Sequence, residues 1–226
     1  MNITFDIETV PDQRPGALEE YAAAVAAPAT HKKPETIAAW LAEHRAAEAQ
    51  SAWLKTSFDG GVGQVVCIGW AANDEPPTSL QVGDLTRHEE VEMLAEFFDA
   101  MALLYRNSGT KPVLIGHNHI AFDLPFLRKR CIVSQVKPCF WWPNAPKPWS
   151  DAVADTMLMW DATERKGASM DRICRLLGIP GKDGMSGADV WPAVQEGRID
   201  DVASYCRDDV GRTREMYRRM TFAPNA

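Results

Sequence analysis

The sequence predicts a mixed α/β fold, a central β-sheet with helices packed on it. Three observations carry this. Apolar runs that read as strands, residues 3–7, 65–70 and 113–116, all lie in the first half of the chain. The second half is dominated by helical spacing, clearest where Val202, Tyr205, Cys206, Asp209, Val210, Thr213 and Met216 fall on one face. Early strands followed by helices suit a sheet with helices laid against it.

Taken in order, the first strand covers roughly residues 2–8 and ends before Pro11. From residue 16 to 58 the composition becomes Ala-rich. Ile37, Trp40, Leu41, His44 and Ala47 form a helical stripe there, with Pro34-Glu35 as its start. This predicts a helical insertion over about 11–60, after the first strand. Gly60-Gly61 and Gly63 close it, and residues 65–70 read as a buried strand. A third strand is predicted at 79–82. A helix over 87–105 follows, with Val91, Leu94, Phe97, Phe98, Met101 and Leu104 as its apolar face. Residues 113–116 form a short strand, and Leu124, Phe126, Leu127 and Cys131 mark the next helix. A loop dense in Pro, Trp and Phe spans 137–149. Further helices are predicted at 155–163, 169–177, 187–195 and 200–220. There is no internal repeat or low-complexity tail, so residues 1–226 are expected to form one domain.

With 46% hydrophobic and 24% charged residues the composition is that of an ordinary globular protein. A formal net charge of −7 argues against a nucleic-acid surface that works by positive charge alone. Cation-bound acids would weaken that objection. Cys67, Cys131, Cys139, Cys174 and Cys206 form no CxxC pair and are odd in number, which predicts reduced thiols in a cytoplasmic protein rather than zinc or disulfides. Acids occupy the place where a signal peptide would need a basic and then an apolar stretch, and no apolar run is long enough for a membrane span.

Four carboxylates in three separated patches carry the chemistry: Phe5-Asp6-Ile7-Glu8-Thr9, Asn118-His119-Ile120-Ala121-Phe122-Asp123 and Tyr205-Cys206-Arg207-Asp208-Asp209. Asp6 and Glu8, two apart in a strand, leave the same face. Tyr205 and Asp209, four apart in a helix, share one side. Clustered acids repel unless cations neutralise them. The economical reading is a site for two divalent metals, a common device for cleaving phosphodiesters. Each patch also has a plainer explanation. Asp123 could be a helix N-cap, and Tyr205 and Asp209 could be a core tyrosine and a surface acid. Asp208, about 100° round the helix from Asp209, is expected in solvent. No histidine lies near the last patch, so a histidine base beside Asp209 is excluded. Trp141, Trp142 and Trp149 are candidates for base stacking or for core. Most of Arg128-Lys129-Arg130 and the arginines of 207–219 are expected on exposed helix faces.

Asp6-x-Glu8, Asn118-x-x-x-Phe122-Asp123 and Tyr205-x-x-x-Asp209, in that order, resemble the three exonuclease motifs of the DEDDy group. These are DnaQ-like 3′–5′ exonucleases with a ribonuclease H-like fold, including the proofreading domain of family B DNA polymerases. Gly178-Ile179-Pro180-Gly181-Lys182 and the stretch ending Asp209-Val210 resemble stand-alone relatives of that domain. Residues 56–60, running into 65–70, are similar to phage- and prophage-borne members. The resemblance spans nearly the whole chain, and the long 11–60 stretch is its main departure.

The resemblance implies a metal-dependent 3′–5′ exonuclease acting on nucleic acid, with DNA favoured over RNA. The alternatives are an exoribonuclease or a silent binding module of the same fold. Asp6, Glu8 and Asp209 would hold the cation nearest the attacking water. Asp6 would bridge to a second cation held by Asp123, directly or through water. Oxygen donors suit Mg²⁺ or Mn²⁺. Tyr205, with an ordinary pKa of about 10, would orient the water rather than act as base. Thr9, Asn118, Phe122 and Lys182 are the candidate substrate contacts, and the 11–60 insertion is a candidate contact for a replication or repair partner.

Overall fold

The computed structural model describes residues 1–162, 164, 166–181 and 184–223. Its centre is a five-stranded sheet in the order β3-β2-β1-β4-β5. The middle strand, β1 (Asn2–Val10), pairs antiparallel with β2 (Gln64–Ala72) and parallel with β4 (Val113–Gly116). β3 (Thr78–Gln81) lies antiparallel to β2 at one edge, and β5 (Val153–Asp155) lies parallel to β4 at the other. The predicted mixed sheet is present. β5 is an addition to it, occupying residues where the spacing predicts only the approach to a helix beginning at 155. Three residues are too few to show any periodicity, and the observed helix α5 (Thr156–Asp161) starts immediately after them.

The insertion after β1 is helical, as expected. It comprises α1 (Ala17–Ala24), α2 (Pro34–Leu54) and a 3₁₀ turn (Lys55–Phe58). Its stripe is shallower than the spacing implies. Ile37, Trp40, Leu41 and His44 are half-buried, Ala47 is exposed, and Ala49 is the one buried residue of α2. α1 and α2 pack mainly on each other. The C-terminal end of α2 is tied down: Trp53 Nε1 donates to Asp12 O at 2.8 Å and its ring meets Trp191 edge-on at 5.4 Å.

The two faces of the sheet are covered differently. Ile3, Phe5 and Ile7 alternate with Thr4, Asp6 and Glu8 along β1, as a pleated strand requires. On the Phe5 side, α3 (Arg87–Ser108) supplies Met93, Leu94, Phe97, Phe98 and Met101 to the core. Its start is capped by Thr86, whose hydroxyl accepts from Glu89 N, and it stops at Gly109 in the left-handed region. α4 (Asp123–Ser134) packs beside it. Trp142 joins this core by edge-on contacts with Phe5, Phe97 and Phe98, and Trp141 is buried. Of the three tryptophans, Trp149 alone stands in solvent. On the Asp6 side lies α8 (Ile199–Met220), after α6 (Met170–Leu177), a 3₁₀ turn (Gly187–Asp189) and α7 (Val190–Gln195). Val202, Cys206 and Val210 of α8 are fully buried.

A buried ion pair locks α3, α4 and the start of β2 together. Arg130 donates from Nε and Nη2 to Glu90 Oε1 and Oε2 at 2.8 and 2.6 Å, while Glu90 Oε1 also accepts from Val65 N at 2.9 Å. Arg130 Nη1 reaches Gly60 O at 3.3 Å. This corrects the expectation for Arg130, which is buried, whereas Arg128 and Lys129 are exposed. Removing one member leaves a buried uncompensated charge. Arg130→Met should therefore cost about 3–5 kcal/mol in urea unfolding, and adding Glu90→Gln should recover part of it. A double variant no more stable than Arg130→Met alone would contradict this.

Candidate active site

β1 delivers Asp6 and Glu8 to one face, and a bulge follows directly. Glu8 pairs with Cys67 but Thr9 pairs with Val65, so one residue of β2 is left over. Bulges re-aim side chains where a strand meets a site. Asp6 is half-buried and Glu8 buried. Their carboxylates and Cys206 Sγ offer donor atoms that all lie within 4.8 Å of one another.

α8 brings the third patch onto the same face. It can do so because β2 has no side chain at Gly69, the residue paired with Asp6. A Cβ there would lie 2.9 Å from Cys206 Sγ and 3.3 Å from Cys206 O. Tyr205 and Asp209, one turn apart, are both buried on the inner side of α8, and Asp208 is exposed as its angular position requires. The Tyr205 phenol is pushed far above its ordinary range, first by burial and then by the charges of Asp209, Glu8 and Asp6, with a hydrogen bond to Asp209 adding to the effect. Tyr205 and Asp209 thus lie on the side of α8 from which Cys206 reaches Asp6 O. Arg212 clamps Asp209, donating from Nη1 to Oδ1 at 2.9 Å, while its Nε and Nη2 reach Pro180 O and Gly181 O at 3.2 and 2.9 Å.

Asp123 meets the central strand between the first two acids. It is the first residue of α4 and 3% exposed. It does not cap its own helix. Its Oδ1 accepts from Ile7 N at 3.2 Å, between Asp6 and Glu8. Burial raises its pKa to about 7; the backbone N–H bonds it accepts oppose this, and the charge of Asp155 adds to it.

The loop before Asp123 is organised by Asp155, which the sequence alone marks only as a helix start. Asp155 Oδ1 accepts from Asn118 N and Met157 N at 2.9 and 3.0 Å, and Oδ2 accepts from Ile120 N at 3.1 Å. An Asp immediately before a helical run is a recognisable cap signal, but its second duty to a loop 35 residues earlier has no sequence signature. Asn118 adopts a left-handed backbone with φ 62°, which Asn tolerates. Its carbonyl accepts from Ala121 N and Phe122 N. His117 Nδ1 lies 2.9 Å from Thr156 Oγ1, away from the acids. His119 is fully buried, against Phe5 at 5.6 Å, and neither ring nitrogen has a hydrogen-bond partner in the protein.

Of the other candidate contacts, Phe122 is half-buried beside Asp123. Thr9 Oγ1 donates to Ser57 O at 2.7 Å. Lys182 lies outside the described residues. Cys206, at the centre of the cluster, is not among the residues the motifs single out, since its neighbours Tyr205 and Asp209 carry the pattern. Burial and the adjacent Cys67 push its thiol well above the ordinary range, so it sits there as a neutral donor to Asp6 O at 3.6 Å. The five cysteines form no disulfide. No helix among the described residues is long and apolar enough to cross a membrane.

A five-stranded mixed sheet flanked by helices, with acids gathered against its central strand, defines a ribonuclease H-like exonuclease fold. The chain belongs to the family described as predicted 3′–5′ exonucleases related to the exonuclease domain of PolB, which matches residues 53–225. β1, with Asp6 and Glu8, precedes the matched residues. The fold is similar to that of the family B DNA polymerase from the hyperthermophilic archaeon Pyrobaculum calidifontis, with a TM-score of 0.56 at 15% identity over 97% of this chain. The chain spans 24% of that polymerase's length, and at this identity the likeness is one of fold. No curated protein matches the sequence.

Two buried groups beside the site give stability an opposing pH dependence. Burial lowers His119 to about 4, while Asp155 opposes the shift and His117 adds to it. The unfolded imidazole titrates near 6.5, so the contribution of His119 is full above 6.5 and lost as pH falls toward 4. Asp123, raised to about 7, has the reverse sign: its contribution is lost as pH rises from about 3.8 through 7. The wild-type profile alone therefore mixes the two. The difference in unfolding free energy between wild type and His119→Gln isolates the histidine and should narrow as pH falls from 6.5 to 4. A difference that stays constant or widens would be inconsistent with a neutral, buried imidazole.

Proposed function

We propose that the chain is a 3′–5′ exonuclease that hydrolyses phosphodiester bonds at the 3′ end of single-stranded DNA, assisted by two divalent cations. The supporting observation is that Asp6, Glu8 and Cys206 offer donor atoms within 4.8 Å of one another, with the buried Tyr205 and Asp209 on the same side of α8 as Cys206 and the Asp123 carboxylate bonded to the backbone between Asp6 and Glu8. Four acids from three distant segments fit hard cations such as Mg²⁺ or Mn²⁺, which prefer oxygen donors. The neutral Cys206 thiol adds no competing anionic sulfur. Asp6, Glu8 and Asp209 are the residues that would hold the cation on the side of the attacking water, and Asp6 and Asp123 the one near the leaving 3′ oxygen. When bound, such a pair lowers the pKa of water and offsets charge on the attacking and leaving oxygens.

The remaining work belongs to the protein. Tyr205, held protonated by burial and three acids, cannot remove a proton near neutral pH. It can donate a hydrogen bond and fix the direction of a water beside Asp209. Arg212 restricts the Asp209 carboxylate to one orientation and ties it to Pro180 and Gly181. Asn118 and Phe122, on the segment that leads into Asp123, and Thr9, the residue after Glu8 in β1, are the proposed contacts to the terminal nucleotides. A silent binding module would gain nothing from burying mutually repelling acids.

Digestion of 5′-labelled single-stranded DNA and RNA with Mn²⁺ tests this. Nucleotides should leave from the 3′ end, more rapidly on DNA, and EDTA should stop the reaction. Asp6→Ala and Asp209→Ala should each lower kcat by about 1000-fold or more. Activity surviving in Asp209→Ala would overturn the proposed division of roles among the acids, and preference for RNA would make the enzyme an exoribonuclease. Tyr205→Phe should lower kcat about 100-fold while Mn²⁺ uptake measured by calorimetry stays near the wild-type value. Equal loss of both would contradict an orienting tyrosine.

A further inference from the structure

The insertion ends against the sequence neighbours of two of the acids. Ser57 O accepts from the hydroxyl of Thr9, next to Glu8, and the ring of Phe58 meets Phe122, next to Asp123, at 6.2 Å and 61°. Phe122 in turn packs on Phe126 at 5.5 Å. The three rings form a row running outward from the core: Phe126 is buried, Phe122 half-buried, and Phe58 is 72% exposed. Phe58 thus stands at the junction of two acidic segments that are far apart in the chain.

Its backbone is held firmly. Thr56 Oγ1 accepts from Asp12 N at 2.8 Å and donates to Trp53 O at 2.6 Å. Asp59 Oδ1 accepts from Gly61 N and Lys129 Nζ at 2.9 and 2.6 Å. Asp59 O accepts from Val62 N and Gly63 N. Gly60 packs so tightly on α4 that a Cβ there would lie 2.6 Å from Phe126 O. An exposed aromatic on a mobile loop is ordinary surface. One on a fixed turn, edge-on to the ring of the residue that precedes Asp123, is a preformed stacking platform. Every nucleobase offers a π-face, so such a platform accepts single strands without regard to sequence.

We infer that Phe58 stacks on a base near the 3′ end of the single strand, making the C-terminal end of the 11–60 insertion part of the substrate groove. This rests on the exonuclease function proposed above. The test uses the full chain, oligonucleotides with normal or abasic 3′-terminal trinucleotides, and the variants Phe58→Ala and Phe58→Trp. Phe58→Ala should raise KM for the normal strand roughly tenfold, with kcat changing less than twofold, and Phe58→Trp should restore it. The abasic end should weaken binding by wild type but make little further difference to Phe58→Ala, because the lost contact is the same. Thermal unfolding of Phe58→Ala should match wild type, as expected of a side chain already in solvent. If wild type trims 3′ ends and Phe58→Ala has an unchanged KM, or responds to abasic ends as strongly as wild type, the stacking role is wrong while the exonuclease stands. If wild type trims neither DNA nor RNA, the exonuclease proposal falls, and this inference with it.

Discussion

The close approach of α8 to the sheet at Gly69 is the constraint on which the candidate site depends. Asp6 and Glu8 reach their positions through strand geometry alone, but Tyr205 and Asp209 reach them only if the helix backbone comes within touching distance of β2. The result is electrostatically expensive. Two carboxylates with donor atoms within 4.8 Å repel by on the order of 3–4 kcal/mol at an effective dielectric of about 20. That cost is carried by the apolar contacts of Val202, Cys206 and Val210 with the sheet, all fully buried. A protein holds such an arrangement against its own stability when the arrangement has a use.

The surrounding polar groups are arranged to keep the acids apart in role as well as in place. Asp209 is oriented by Arg212, and Asp123 by a backbone amide of β1. Asp155 stands behind the cluster: it accepts from four backbone amides of the 118–120 loop and α5, and those bonds set the course of the chain into Asp123. The left-handed Asn118 and the buried His119 follow from that course. Asp155 therefore acts on the site through the backbone.

Much of this is legible in the residues. The strands at β1, β2 and β4 announce themselves because apolar residues at strand spacing are broken by glycine or proline, and α3 and α8 because their apolar faces run for many turns. The pairing of acids at i, i+2 and of Tyr205 with Asp209 at i, i+4 converts spacing directly into direction. What stays hidden is whatever depends on distant partners. Arg130 looks like any cation on a helix beside Arg128 and Lys129. Only the fold reveals Glu90 opposite it. β5 is too short to leave a pattern, and Asp155 at its end looks like a simple cap. Trp141 and Trp142, candidates for stacking or for core, belong to the core, where Trp142 lies between Phe5 and α3; the Pro-rich loop that carries them has no periodicity to say which. Cys206 is masked by its more informative neighbours.

The insertion shows the same division within one segment. Its amphipathic stripe predicts helices correctly but overstates their burial, because α2 has only α1 to cover most of its length. Its far end behaves differently. Between Trp53 and Gly63 the Trp53 indole and Thr56 hydroxyl bond the backbone of Asp12, Ser57 O accepts from Thr9, Gly60 O accepts from Arg130, and Asp59 O accepts from Val62 N and Gly63 N. The bonded part of the insertion is thus its junction with the sheet, and the part beyond, α1 and α2, packs mainly on itself. The chain returns to the sheet through this end, so Ser57 bonds Thr9 and Phe58 packs on Phe122, the sequence neighbours of Glu8 and Asp123.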